Sequence, residues 1–164
     1  LTGAVVRRAG KDISIAAFSY MVIEALAAAD ALTKLGIEAE VIDMRCVNVL
    51  DIDTVVDSVT RSGRLLVADT GHITFGVGAE VIAAVVERAL THLREPPARI
   101  AAPMIPCPTT PALADAYYPD ARTIAEQALK QCAIKIDATV ESVLASLQRT
   151  GPLDVPNPDY RGPF

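Results

Sequence analysis

Tryptophan is absent from this chain, and the other aromatics make up only 4% of its 164 residues. The apolar mass is therefore Ala, Val, Ile and Leu, which suits helices packed on a buried parallel sheet. No apolar run reaches the roughly 20 residues of a membrane-crossing helix. The first residues also lack the basic stretch and apolar run of a secretory leader. Histidine is scarce: His72 and His92 are the two present, which excludes zinc sites built on several histidines. Cys46, Cys107 and Cys132 are odd in number and have no metal-ligand spacing. They read as reduced thiols of a cytoplasmic protein. Basic residues are outnumbered, 15 against 20 acidic ones, for a net charge of -5, which argues against a nucleic-acid surface. What is present is 51% hydrophobic sequence with a mean hydropathy of +0.33. That composition excludes a disordered chain, and the length suits one sizeable core.

Residues 5–8 and 13–18 are short extended runs separated by Ala9, Gly10, Lys11 and Asp12. This spacing predicts a β-hairpin with Gly10 at positive φ, and so an antiparallel first strand. From Tyr20 the apolar period becomes helical, and Gly36 is a natural stop. Residues 40–44 form the next strand. Asp51 can cap a helix over 52–61 that ends at Gly63. Residues 64–69 make a strand apolar enough to be buried on both faces. A glycine-rich turn follows over 71–78, then a helix from 77 to about 93. Residues 99–102 are the last strand. Pro103, Pro106, Pro108 and Pro111 make 103–111 a rigid loop. Asp120 opens a helix to about Gln131, and 137–148 repeat apolar residues at helical spacing. The four prolines of 150–164 predict an extended tail. Together these elements predict a three-layer α/β/α sandwich. Its sheet has five strands, mainly parallel, with one antiparallel edge strand.

Chemistry is thinly marked. The turn holding Gly71, His72, Gly76 and Gly78 follows a buried strand and opens a helix, a place where backbone N–H groups can hold an anion. It lacks the third glycine of a dinucleotide fingerprint, and its glycines also serve simple turning. His72 lies at the carboxyl end of a strand, where open α/β sheets place their sites. His92 reads as a surface residue near a helix end. There is no nucleophile elbow, Walker loop, kinase signature or HExxH motif. From 76 to 86 only Glu80 is polar, so that helix needs cover on two sides. Residues 133–149 or a second domain or subunit can supply it. The second choice makes Val81 and Val85 interface residues and predicts a homodimer.

Four segments carry a resemblance. They are 3–22, with Gly10, Lys11, Asp12 and Phe18; 36–51, ending in Leu50 and Asp51; Gly71 and His72 with 76–80; and the prolines of 103–111 followed by Tyr118 and Pro119. In this order they resemble the C-terminal, transketolase C-terminal-like domain of the beta subunit of thiamine-diphosphate-dependent 2-oxo acid dehydrogenases. The resemblance spans residues 3–131. Phe75 stands where that family usually has Gly, and Val49 where it usually has Pro. It implies a family domain of residues 1–132; residues 133–164 extend past its usual end and are read, from their own pattern, as a helical extension and Pro-rich tail packed on the same domain.

The resemblance also implies a division of labour. In that family thiamine diphosphate and Mg²⁺ lie between an alpha subunit and the N-terminal domain of the beta subunit. Neither domain is in this sequence, so no cofactor is expected on this chain and no catalytic residue is assigned. The chain reads as a fragment or a separately expressed domain for assembly. The parent reaction would be oxidative decarboxylation of a 2-oxo acid with acyl transfer to lipoyl-lysine. Pyruvate, branched-chain 2-oxo acids and acetoin remain open as substrates. The implied partners are a second copy, the alpha subunit, the N-terminal beta domain and the dihydrolipoyl acyltransferase. Glu80 and Glu87, two helical turns apart, are the candidates for docking the basic binding domain of the acyltransferase. They serve equally as residues that solvate an exposed edge and favour a helix N-terminus. An independent α/β ligand-binding or regulatory module, using the glycine-rich helix start, is the alternative.

Overall fold

The computed structural model describes residues 3–110, 113 and 117–147. Strands β1 (Val5–Arg8) and β2 (Ile13–Ala17) lead into helix α1 (Met21–Lys34). Then come β3 (Ala39–Asp43), α2 (Ile52–Ser62), β4 (Leu65–His72) and α3 (Val77–Ala89). A 3-10 turn, Leu90–His92, precedes β5 (Ala98–Ala102), and helices α4 (Ala121–Gln131) and α5 (Ala138–Ala145) close the described part. The described strands form one sheet in the order β1-β3-β2-β4-β5. Strands β3, β2, β4 and β5 are parallel, and β1 lies antiparallel on the outside of β3. The expected sandwich with one antiparallel edge strand is the observed architecture.

The predicted hairpin is not formed. β1 pairs with β3, which lies between it and β2. The reason is burial. Every residue of β2 is buried and needs a strand on each side, whereas Arg7 of β1 is exposed and suits a sheet edge. The connection therefore crosses the start of β3. The N–H groups of Lys11 and Asp12 both donate to the Glu38 carbonyl, at 2.9 and 3.0 Å, and the Glu38 N–H donates to Asp12 Oδ2 at 2.8 Å. Gly10 is not among the positive-φ glycines, Gly36 and Gly63. It is glycine because a Cβ there would sit 2.3 Å from the backbone at Ala39 and Glu40.

Strand alternation divides the buried apolar residues between two layers. Ile13, Ile15, Ala17, Leu66 and Ala68 face α1, α4 and α5. Ala16, Ile42, Leu65 and Val67 face α2 and α3. Ser14 points into the second layer, where its hydroxyl lies 2.5 Å from that of Ser58 and 2.7 Å from that of Ser62. Three aspartates cap helices as their side chains dictate. Asp51 accepts from Thr54 N–H, Asp120 from Thr123 N–H, and Asp137 from Thr139 and Val140 N–H. The Thr54 N–H most of all, with the Thr54 hydroxyl and the Ala4 N–H, holds the Asp51 carboxyl below its usual range.

Helix α5 packs on α1 and α4 through Val140 and Leu144. It lies on the opposite face of the sheet from α3, so residues 133–147 do not supply the second cover predicted for that helix. The extended tail predicted for 150–164 lies outside the described residues. No helix among the described residues is long and apolar enough to cross a membrane.

Candidate functional site

The carboxyl edge of the sheet gathers the unusual features. β2, β3 and β4 lead into Ser19, Arg45 and Phe75, whose φ angles are 50°, 59° and 59°. Non-glycine residues held in that region cost about 1 kcal/mol or more each and tend to mark functional edges. Apolar side chains stand exposed at the same edge: Val47 and Val49 after β3, Phe75 after β4, and Met104 and Ile105 after β5.

The glycine-rich turn starts two residues later than the sequence predicts. β4 continues through Gly71 to His72, which pairs with Ala102 of β5. Gly76 caps α3, and a Cβ on it would meet the His72 carbonyl oxygen at 2.1 Å. Replacing Gly76 by Ala forces the loop and the helix start apart. We expect a loss of about 1–3 kcal/mol in denaturant unfolding, with the fold retained. The Asp69 carboxylate lies against both Gly71 and Gly76; its Oδ2 is 3.8 Å from the Cβ position of Gly76. Negative charge already occupies the favourable end of α3, and a diphosphate there would be repelled. The turn does not fit an anion cradle. Nor does any group of three or more His, Cys, Asp and Glu among the described residues have the geometry to hold a metal ion.

His72 is exposed, with Nε2 3.4 Å from the Tyr117 hydroxyl. The adjacent Tyr118 ring packs edge-on against Tyr117, and its hydroxyl lies 2.9 Å from Cys107 Sγ. That hydrogen bond, then burial, pushes the Tyr118 phenol above its usual range. These contacts join the Pro-rich loop to the end of β4, and no spacing in the sequence announced them. His92 is exposed in the 3-10 turn, away from this cluster.

Helix α3 is apolar on two sides, as its sequence predicts, but the expected interface residues face the wrong way. Val81 and Val85 are both 0% exposed and belong to the core of the chain itself, with Val67 and Val59. Gly78 is buried too, 3.3 Å from Val67 measured from a Cβ. The outward stripe consists of Ala79, Ala83, Val86 and Leu90, spaced at i, i+4, i+7 and i+11, with Phe75 at its head. Phe75 is 96% exposed and Leu90 62%. Glu80 and Glu87 are exposed beside that stripe.

Residues 2–124 match the family described as "Transketolase, C-terminal domain". The chain belongs to this family. The beta subunit of acetoin:2,6-dichlorophenolindophenol oxidoreductase from Cupriavidus necator is 41% identical over 123 residues, covering 75% of this chain and 36% of that protein. The pyruvate dehydrogenase E1 component subunit beta of Bacillus subtilis is 41% identical over 125 residues, covering 76% and 38%. The mitochondrial subunit of that name from Chaetomium thermophilum is 40% identical over 128 residues, covering 77% and 34%. A solved structure described as "Split gene transketolase, inactive beta4 tetramer" superimposes with a TM-score of 0.69 at 28% identity, covering 81% of this chain and 43% of that one. The chain thus spans 34 to 38% of the length of these curated relatives. Phe75 stands at the position where the resemblance leads one to expect Gly. Its backbone is left-handed, with φ of 59°, a conformation that Gly adopts without steric cost.

Proposed function

We propose that this domain is the C-terminal assembly domain of the beta subunit of a thiamine-diphosphate-dependent 2-oxo acid or acetoin dehydrogenase. The observation that carries the reading is the 41% identity to two such beta subunits over 75 to 76% of this chain. The parent enzyme decarboxylates its substrate oxidatively and passes the acyl group to lipoyl-lysine. In this reading the alpha subunit and the N-terminal beta domain hold thiamine diphosphate and Mg²⁺. The domain itself organises subunits. Asp69 at the start of α3 supports that assignment, because it disfavours a diphosphate. The three free cysteines agree with a cytoplasmic setting.

The cofactor assignment has a direct test. Titration calorimetry of the chain with thiamine diphosphate and Mg²⁺ is expected to give no binding heat. A dissociation constant of about micromolar or tighter overturns the reading.

Assembly runs through the outward stripe of α3. Two copies that bring Ala83, Val86 and Leu90 together remove an apolar strip from water, and two-fold pairing closes the interface. Glu80 and Glu87 then flank the seam and receive the basic binding domain of the acyltransferase. Charge reversal of both, Glu80→Lys with Glu87→Lys, is expected to weaken that binding about tenfold and to flatten its salt dependence. Surface resonance at several salt concentrations reads both effects. Unchanged affinity and slope with an intact dimer place the docking surface elsewhere.

A further inference from the structure

β5 is the outer strand of the sheet, and among the described residues no strand pairs with its far side. Alternate residues of such a strand turn their N–H and C=O groups outward, and an open edge of this kind is a template for another strand. Its surroundings leave room for one. A cleft of about 750 Å³ runs between β5 and the stripe of α4 that carries Thr123, Gln127 and Lys130. A strand edge facing a helix across a groove accepts an extended peptide. Main-chain bonds to the strand give affinity, and side-chain subsites give selectivity.

The two ends of the groove differ. β5 and α4 run in opposite directions. Gln131, at the end of α4, donates from its side-chain amide to the Pro96 carbonyl just before β5, at 2.9 Å. Tyr117, just before α4, reaches His72, which pairs with Ala102 at the end of β5. Lys130 therefore stands at the amino end of β5, and Pro103, Tyr118 and Pro119 border the groove at the carboxyl end. Strand alternation puts Ile100 on the α4 face and Arg99 on the α3 face, where its side chain passes Gly78 and donates to the Ile73 carbonyl at 2.9 Å.

The charge of the groove is opposite to that of the chain. The chain carries -5 overall. Lys130 and Arg99 line the groove, and neither makes an ion pair among the described residues. Glu126, the acid that lines it, is engaged by Arg122 at 2.8 Å. A second copy of β5 would bring the same cations to the seam, where like charges repel. An acidic strand meets a complementary charge on each face.

We propose that the free edge of β5 docks an extended acidic segment of a partner protein as an added strand. One acid of that segment meets Lys130 on the α4 face, and acids of the opposite parity meet Arg99 on the α3 face. An apolar side chain four residues along from the first acid, about 13 Å away, packs against Pro103, Tyr118 and Pro119. The site uses none of the α3 residues assigned above to self-assembly.

The probe is the acetylated, amidated hexapeptide Glu-Glu-Val-Glu-Phe-Thr, with its reversed sequence for the opposite strand sense and versions carrying Lys in place of every Glu. NMR titration of the 164-residue chain is expected to shift the Arg99, Ala101 and Tyr118 amides. One acidic peptide should bind with a dissociation constant of about millimolar or tighter and slow exchange of the outward β5 amides about tenfold. Its lysine version should bind about tenfold more weakly or less. Arg99→Glu with Lys130→Glu changes two exposed residues, so the core is kept, and it should reverse that order. Absence of β5 shifts with both acidic peptides overturns the proposal, as does equal binding of the lysine versions or an unchanged order in the double variant. Slow exchange of the β5 edge before any peptide is added also overturns it. The edge is then covered by a second copy if protection fades on dilution, and by the chain itself if it does not.

Discussion

Replacing Val85 by Glu is expected to unfold the chain, and replacing Ala83 by Glu to leave it folded and dissociate the dimer proposed above. The two positions are two residues apart on α3. Val85 is 0% exposed, in an apolar cluster with Val67, Val81 and Val59. A carboxylate there loses its hydration without a partner. The cost is about 3–5 kcal/mol, comparable with the whole stability of a small domain. Ala83 is exposed, so its glutamate stays in water in the monomer. It meets low dielectric and its own symmetry mate only when two stripes pair. Circular dichroism at 25 °C reads the first effect, and sedimentation equilibrium reads the second. A folded, dimeric Ala83→Glu chain would remove α3 from the interface.

Glu24 carries the second large effect. It is 5% exposed, inside the seam between α1 and α4, and its Oε2 accepts the Ala121 N–H at 2.8 Å. This carboxyl satisfies one of the four free N–H groups at the start of α4. Burial pushes its pKa up, the Ala121 hydrogen bond pulls it down, and the charge of Asp120 adds to the rise; the net direction is upward. Glu24→Ala leaves that N–H unpaired and opens a void, at a cost of about 2–4 kcal/mol. Glu24→Gln keeps an acceptor and removes the titration. A group with a raised folded pKa favours the fold most fully below its unfolded pKa. That contribution fades as pH climbs through the folded value. The stability of the unsubstituted chain relative to Glu24→Gln should therefore fall as pH rises above about 4. Urea melts across pH 3–8 measure the difference directly. A gap that widens in favour of Glu24 with rising pH contradicts this account.

Helix starts and stops were legible because they are local. Asp51, Asp120 and Asp137 each cap within three residues of themselves, and Gly36 and Gly63 take the left-handed backbone expected of helix stops. Strand order was not legible, because it depends on partners far along the chain. Gly10 looks like a turn glycine until β3 is placed beneath it. The apolar character of α3 announced two apolar sides; the core of the chain covers one, and the other is the exposed stripe. Which valines face inward depends on where Val67 and Val59 stand, and periodicity alone does not fix that rotation when both faces are apolar. The Tyr117–His72 and Tyr118–Cys107 contacts join residues 45 and 11 positions apart by way of the Pro-rich loop, and no motif encodes them.

The hydroxyl group that β2 sends to α2 constrains how this sequence can drift. Ser14 reaches both Ser58 and Ser62, and Ser62 donates onward to the Arg64 carbonyl at 3.1 Å. All three serines are at most 1% exposed. A lineage that loses Ser14 alone takes from the Ser58 hydroxyl its partner in a site without water, at about 1–3 kcal/mol, while Ser62 keeps the Arg64 carbonyl. One that exchanges all three for alanine leaves no orphan. Across descendants of this domain the three positions should be inherited as a block, either all hydroxyl or all apolar, with mixed sets confined to backgrounds that have gained stability elsewhere.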